Sequence, residues 1–258
     1  MTPVALEIAR FGNEGIEHSL AGFRKDGAVV FDGLPERIGE LLATLALAYP
    51  AYSGCLGPEN DSMDVGNCRY TFPITFGAPF DCTDILFHPA PNGLFSTLGS
   101  DFVFEAFGVI SSFAVAEETR MHADNVQLFK RSGFNAVLPT WAVTFVGPSG
   151  PMDALRGTTA LWPGSQLANE EPDAPALVAP EVLPGCCALW DFRTWHRGLE
   201  NRSDEARPLL YAVASRPLWI CHEDYQLGVD DKLFINPVAL DGFDDLARNR
   251  FVRAKVVQ

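Results

Sequence analysis

Residues 185–220 read GCCALWDFRTWHRGLENRSDEARPLLYAVASRPLWI, and the pattern of this stretch sets the fold class. Two apolar runs rich in aromatic and small residues, 185–192 and 208–215, flank the polar segment Glu200 to Ala206, which has the composition of a turn joining strands. Similar runs precede it: FVFEAFGVISSFAVAEE (102–118), AVLPTWAVTFV (136–146) and GTTALWPGS (157–165), separated by Gly, Pro, Asn and Asp clusters. Several such strands in succession predict a mainly β sandwich or barrel. Upstream, apolar residues at Ile16, Leu20 and Phe23 predict a helix over Glu14 to Asp26, followed by the short strand Ala28 to Phe31. Pro35 to Tyr49 reads as a second helix, with Pro in its first turn and Pro50 as its stop.

At 258 residues the chain suits one domain. We expect helical N-terminal support over 1–50 and an irregular insertion over 51–100, either a lid over a pocket or a packed surface loop, relieved by one strand-like patch at Arg69 to Phe76. The β core then spans 101–220, and a C-terminal extension, 221–258, carries a short helix around Phe243 to Phe251. The 33 acidic residues outnumber the 19 Lys and Arg, a net charge of −14 that repels nucleic acid and anionic membranes at long range. The expected partner is therefore a small molecule. Only four of the 19 basic residues are Lys; the rest are Arg, the side chain suited to bidentate carboxylate recognition. No signal-peptide pattern or membrane-length apolar run stands out, so the expected location is the cytoplasm. The six Cys show no C-x-x-C spacing, and reduced, buried thiols are the expectation, the adjacent Cys186 and Cys187 included.

Within the β region lies Met121-His122-Ala123-Asp124. Residues two apart on an extended strand face one side, so the imidazole of His122 and the carboxylate of Asp124 can converge on one metal ion. A His-x-acid triplet alone is weak, and His222-Glu223-Asp224 is another. Only the first is followed by a further His: His196 lies 72 residues beyond Asp124. Two imidazoles and one carboxylate occupy one face of an octahedron and leave three positions open, as suits non-haem Fe(II). Arg207, eleven residues after His196, begins the next strand, where its guanidinium can clamp a carboxylate. Taken singly, His122 with Asp124 also reads as a buried hydrogen-bonded pair, His196 as a core histidine and Arg207 as a surface arginine; their joint order favours the metal site.

At these residues the chain resembles the phytanoyl-CoA dioxygenase-like family of Fe(II)/2-oxoglutarate oxygenases. The resemblance rests on Phe23-RKDGAVVFDGL, His122-ADNVQLF, Gly157-TTALWPGSQ and Asp191-FRTWHRGLENRSDEARPLLYAVASRPLW. It implies a double-stranded β-helix, a cupin-like jelly roll packed against helices. It also implies Fe(II) on His122, Asp124 and His196, and 2-oxoglutarate held by Arg207, with Thr159 near the same carboxylate. O₂ is the further co-substrate, and the implied reaction oxidises an unactivated C–H of a small-molecule metabolite or natural product, releasing succinate and CO₂. The carboxylate at Asp124 argues against the halogenating relatives, which place a small residue there. Gln166 stands where the family commonly has His. Arg69, Tyr70, Arg120, Asn125, Gln127 and Trp162 flank the motifs and are candidate substrate contacts. The acidic charge disfavours a CoA thioester and favours mostly apolar or amino-acid-like substrates. Two other readings stand beside this one: a non-catalytic jelly-roll ligand-binding or sensor protein, and a cupin-type metalloenzyme that does not use 2-oxoglutarate.

Overall fold

The computed structural model describes residues 8–12, 16–34, 44, 63–78, 80, 83–124, 133–168, 176–219 and 232–257. In chain order these form β1 (Ala9–Phe11), α1 (Ile16–Asp26), β2 (Ala28–Asp32), β3 (Met63–Gly66), β4 (Arg69–Pro73), β5 (Thr75–Phe76), α2 (Thr83–Leu86), α3 (Pro89–Phe95) and β6 (Val103–Ser112). There follow β7 (Ala142–Pro148), β8 (Thr159–Leu161), β9 (Cys186–Asp191), β10 (His196–Gly198), β11 (Arg207–Ser215), β12 (Phe234–Ile235), α4 (Asp245–Asn249) and β13 (Lys255–Val256). Among the described residues no helix is long and apolar enough to cross a membrane.

Eight strands make the main sheet, in the order β1-β2-β9-β7-β11-β6-β4-β3. A second layer faces it, built from short pairings: β10 lies antiparallel to β8, and bridges join His122 to His196 and Leu161 to Val178. Two sheets enclosing a space between them are the double-stranded β-helix expected from the sequence.

Period-two alternation sorts the main sheet's side chains onto two faces. On the helix-covered face Val29, Phe31, Phe104, Phe107, Val143, Phe145, Leu189, Leu210 and Ala212 join Phe23 of α1 and Leu94 and Phe95 of α3 in one buried cluster. Each such large side chain contributes roughly 1.5–3 kcal/mol of burial free energy. The opposite face carries Ala28, Val30, Val146, Ala188, Trp190, Leu209, Tyr211 and Val213, packed with Met152, Leu161 and Val182 from the second layer. Register breaks once on β6: Val213 pairs with Ala106 and Ala214 with Phe104, leaving Glu105 as the extra residue of a bulge.

The C-terminus of α1 is tied to the second layer. Gly27 adopts φ +73°, and a Cβ there would overlap the side chains of Gln166 and Thr194. Gln166 Nε2 donates to the carbonyls of Arg24 (3.1 Å) and Lys25 (3.3 Å), satisfying carbonyls that the helix end leaves over. Thr194 Oγ1 donates to Gly27 O at 2.9 Å. Gln166 thus serves the fold, as an anchor for this end of the helix.

Several boundaries differ from the sequence reading. The segment 51–100 is not irregular in its described part: it holds β3, β4, β5, α2 and α3, and β4 pairs with β6 from Arg69↔Ser112 to Pro73↔Gly108. The pattern was hidden because Arg69 and Thr71 are polar yet buried, which blurs the apolar alternation. The main sheet also recruits β1 and β2, so strand pairing reaches well before residue 101. The apolar run 185–192 forms β9, which stops at Asp191, and a turn carries the chain to β10 in the second layer, where His196 lies. The expected helix near the C-terminus is α4, and Phe251 beyond it is buried in the core. Pro35 to Tyr49, apart from Thr44, lies outside the described residues, as does His222-Glu223-Asp224.

Candidate metal centre

His122 and His196 are brought together by their own backbones. His122 N–H donates to His196 O at 2.9 Å, and His196 N–H donates to His122 O at 2.8 Å. Such a mutually bonded antiparallel pair sets both side chains on one side, and the ring centroids stand 4.4 Å apart. Among the described residues of its segment His122 alone forms this bridge, so an isolated pairing replaces the extended strand expected there. The Nδ1 of His122 lies 2.9 Å from Arg120 O, and that of His196 lies 2.8 Å from Thr194 O. A carbonyl only accepts, so in each neutral ring Nδ1 carries the hydrogen and Nε2 keeps its lone pair.

Asp124 completes the group. Its Oδ1 lies 3.3 Å from His196 Nε2 and 3.9 Å from His122 Nε2. Its Oδ2 accepts from Thr144 Oγ1 (2.7 Å, on β7) and from Trp190 Nε1 (3.0 Å, on β9). With one oxygen fixed by the main sheet, the other faces the imidazoles. One ligand atom from each of His122, Asp124 and His196 falls within 4.8 Å of the others.

The charges are coupled. Burial alone would push the Asp124 carboxyl up, but His196, through charge and hydrogen bond, then His122 and the Thr144 hydroxyl, outweigh it and hold the group well below the usual carboxylate range. Asp124 is therefore an anion at neutral pH. Burial, aided by the neighbouring His196, pulls His122 down. For His196 burial acts in the same downward sense, yet the Asp124 carboxylate overcomes it and raises the imidazole.

The triad sits in the wall of a cavity of about 420 Å³ between the two layers. At one end lie Arg69, Arg207 and Thr159; Thr71, Ile110, Val146, Leu209, Tyr211 and Val213 supply a largely apolar wall; Phe192, Trp219, Glu105 and Lys232 also line it. Arg207 is 2% exposed. Its Nε donates to Arg156 O at 3.1 Å and its Nη2 to Ser112 Oγ at 3.0 Å, whereas Nη1 is buried with no partner among the described residues. Burial, together with the charge of Arg69, pushes its pKa down to about 9, so it remains a cation at neutral pH.

Of the other candidate contacts, Arg69 lines the cavity. Tyr70 instead packs edge-on against Phe113, with centroids 5.8 Å apart. Arg120 is exposed and offers the site its carbonyl, through His122 Nδ1. Trp162 holds the Pro-Gly-Ser turn: its N–H donates to Trp195 O, and its carbonyl accepts from Ser165 Oγ. Asn125 and Gln127 lie outside the described residues. Sequence reasoning missed Thr144 and Trp190, which sit on apolar strands where a lone polar atom carries no local signal of its purpose.

Compared with known proteins, the chain matches no family model and no curated protein. Solved structures do resemble it. SnoN, the non-heme alpha ketoglutarate dependent epimerase from nogalamycin biosynthesis, aligns with a TM-score of 0.59 at 22% identity, covering 83% of this chain and 88% of that one. EctD from S. alaskensis, solved with bound Fe, gives 0.58 at 15% identity over 83% and 82%. AviO1 from Streptomyces viridochromogenes Tue57 gives 0.55 at 16% identity over 77% and 93%. At these identities the likeness establishes the fold: the jelly roll that SnoN and its structural relatives share.

A buried cation without a counterion costs stability unless a ligand supplies the charge. Arg207→Met, of similar length and apolar, is accordingly expected to leave urea stability of the ligand-free protein unchanged or raised. A loss above roughly 2 kcal/mol would show that Arg207 is a structural strut instead.

Proposed function

We propose that this protein is an Fe(II)/2-oxoglutarate-dependent oxygenase of the phytanoyl-CoA dioxygenase-like type, which hydroxylates an unactivated C–H of a small-molecule metabolite or natural product and releases succinate and CO₂. The observation that carries this reading is the pairing of His122, Asp124 and His196 with Arg207, whose buried Nη1 has no partner among the described residues, in the wall of one cavity. The donor chemistry fits: two Nε2 lone pairs and one ionised oxygen suit a divalent ion and leave coordination positions open. Arg207 and Thr159 fit the distal carboxylate of 2-oxoglutarate through charge-assisted hydrogen bonds. The sequence motifs support the family, and the structural relatives support the class: SnoN has been seen with Fe3+, alpha ketoglutarate and nogalamycin RO, and EctD with Fe.

When bound, iron with 2-oxoglutarate and O₂ supplies the oxidising power. The protein's residues supply placement. Arg120 O and Thr194 O fix both imidazole tautomers, and Thr144 and Trp190 fix the carboxylate. The wall formed by Leu209, Tyr211, Val213 and Phe192 excludes water and orients an apolar substrate. The excess of acidic residues argues against a nucleic-acid partner.

Anaerobic addition of Fe(II) and 2-oxoglutarate is expected to produce a weak visible charge-transfer band, and aerobic incubation should form succinate slowly even without substrate. A folded protein showing neither would leave the non-catalytic or cupin-type reading in its place. Thr144→Val removes one bond to Asp124 Oδ2, and calorimetry with Mn(II) should find affinity about 10–100-fold weaker; equal affinity would mean that Trp190 alone suffices. Acidification acts through His196, because Asp124 stays ionised while the raised imidazole must shed its proton to bind. Mn(II) affinity is thus expected to fall about tenfold per pH unit below that pKa, and a flat profile between pH 8 and 6 would contradict it.

A further inference from the structure

The bulge on β6 aims a carboxylate at a place where alternation would bury hydrocarbon. Phe107 points into the helix-covered core and Ala106 to the opposite face. Counting back from them, alternation would send Glu105 into the phenylalanine cluster; the extra residue turns it to the cavity beside Ala106 instead. Glu105 is 5% exposed. A carboxylate buried to that degree needs partners, and its Oε1 accepts from Ser215 Oγ and pairs with Arg253 Nη1. Arg253 lies outside the cavity wall and is tied to backbone, Nη1 donating to Trp219 O at 3.0 Å and Nη2 to Pro217 O at 2.6 Å. The carboxylate is thus held from behind while its residue lines the cavity.

Strand register places this end of the cavity next to the metal ligands. Ala106, Val213, Thr144 and Trp190 are partners in one row across β6, β11, β7 and β9, and Thr144 and Trp190 are the residues that hold Asp124. Glu105 adjoins that row, whereas Ser112, the partner of Arg207, lies about 20 Å along the strand. Lys232 lines the cavity too, and Phe107 N–H donates to its carbonyl at 2.9 Å, so its backbone runs beside the bulge. Phe192 and Trp219 complete this end, packed edge-on with ring centroids 5.7 Å apart. A lone cation would gain from Glu105 but meet Lys232, and a lone anion would suffer the converse. A molecule that carries both charges gains from each.

We infer that the cavity end remote from Arg207 recognises the head of a zwitterionic, amino-acid-like substrate, with its ammonium on Glu105, its carboxylate on Lys232 and its apolar remainder against Val213, Phe192 and Trp219. This rests on the reading of the site as an Fe(II)/2-oxoglutarate centre and adds to it the charges that the substrate carries. The bulge then has a purpose in recognition, since a regular β6 would put no carboxylate beside the triad.

The test is calorimetry on protein loaded with Mn(II) and 2-oxoglutarate, using L-leucine with 3-methylbutylamine and 4-methylpentanoate, and L-phenylalanine with 2-phenylethylamine and 3-phenylpropanoate. Within each set the amine lacks the carboxylate and the acid lacks the ammonium. At least one amino acid is expected to bind about tenfold more tightly than both its amine and its acid. Glu105→Gln keeps an oxygen for Ser215 and Arg253 without the charge; it should cut the preference over the acid about tenfold and spare the preference over the amine. Lys232→Met should do the converse. General loosening of the site lowers both ratios together, so the crossed pattern separates recognition from support. Where one variant fails to fold, judged by circular dichroism, the ratios of the other decide. Ratios that stay unchanged or fall together overturn the inference, as does the absence in both sets of an amino acid preferred over both partners. Either result with 2-oxoglutarate still bound leaves the proposed function standing. Failure of the unsubstituted protein to bind 2-oxoglutarate overturns the proposed function itself.

Discussion

A carboxylate half-buried between two sheets must have its oxygens satisfied, and Asp124 meets that requirement by spanning the layers. Thr144 and Trp190 on the main sheet take one oxygen; the imidazoles of the second layer face the other. The second layer has little pairing of its own, so its placement depends on such links. The Pro-Gly-Ser turn supplies another, since Ser165 Oγ accepts from the N–H of Trp195 beside His196. The C-terminal end of α1 supplies a third: Thr194, bonded to Gly27, presents the carbonyl that orients His196. Helix, turn and sheet all converge on one imidazole.

Alternation on β11 turns a single strand into a graded wall. Leu210, Ala212 and Ala214 pack into the helix-covered core, while Arg207, Leu209, Tyr211 and Val213 line the cavity. At about 3.4 Å per residue, the strand passes from cation to hydrocarbon over about 20 Å. A slip of one residue would bury the arginine in the phenylalanine cluster and empty the cavity wall. The apolar core therefore fixes the position of the functional face by fixing its register.

The fold class was legible because the core strands are written in apolar and aromatic runs, and the triad because His122, Asp124 and His196 carry chemistry that composition alone does not explain. The second layer was less legible: its pieces are three residues long or single bridges, too short for any periodicity. β4 was seen only as a patch, since Arg69 and Thr71 put polar atoms where a buried strand normally shows hydrocarbon. Thr144 and Trp190 were invisible for the converse reason: each fits its strand by propensity, and only the distance to Asp124 reveals the second duty. Tyr70 and Trp162 show that closeness in sequence to a motif is a poor guide to the cavity, because alternation and turns send neighbours elsewhere.

The net charge of −14 and the arginine-lined end of the cavity act over different ranges. In physiological salt the field of the acidic surface fades within about 8 Å, whereas charges enclosed by protein are screened far less. A polyanion that must rest many phosphates on the surface meets repulsion along its length. In the proposed function, a small dicarboxylate that passes inside meets the guanidinium of Arg207, in surroundings where each charge-assisted hydrogen bond is strong. On the proposed reading, the acidic exterior and basic interior are compatible parts of one selection: the surface discourages a CoA thioester, and the cavity end admits 2-oxoglutarate. The remaining wall, formed by Leu209, Tyr211, Val213, Phe192 and Trp219, offers mainly hydrocarbon and aromatic surface. Along that wall, choice among substrates falls to shape, which is the weaker discriminator, since one methylene in an apolar pocket changes binding by only about 1–3 kcal/mol.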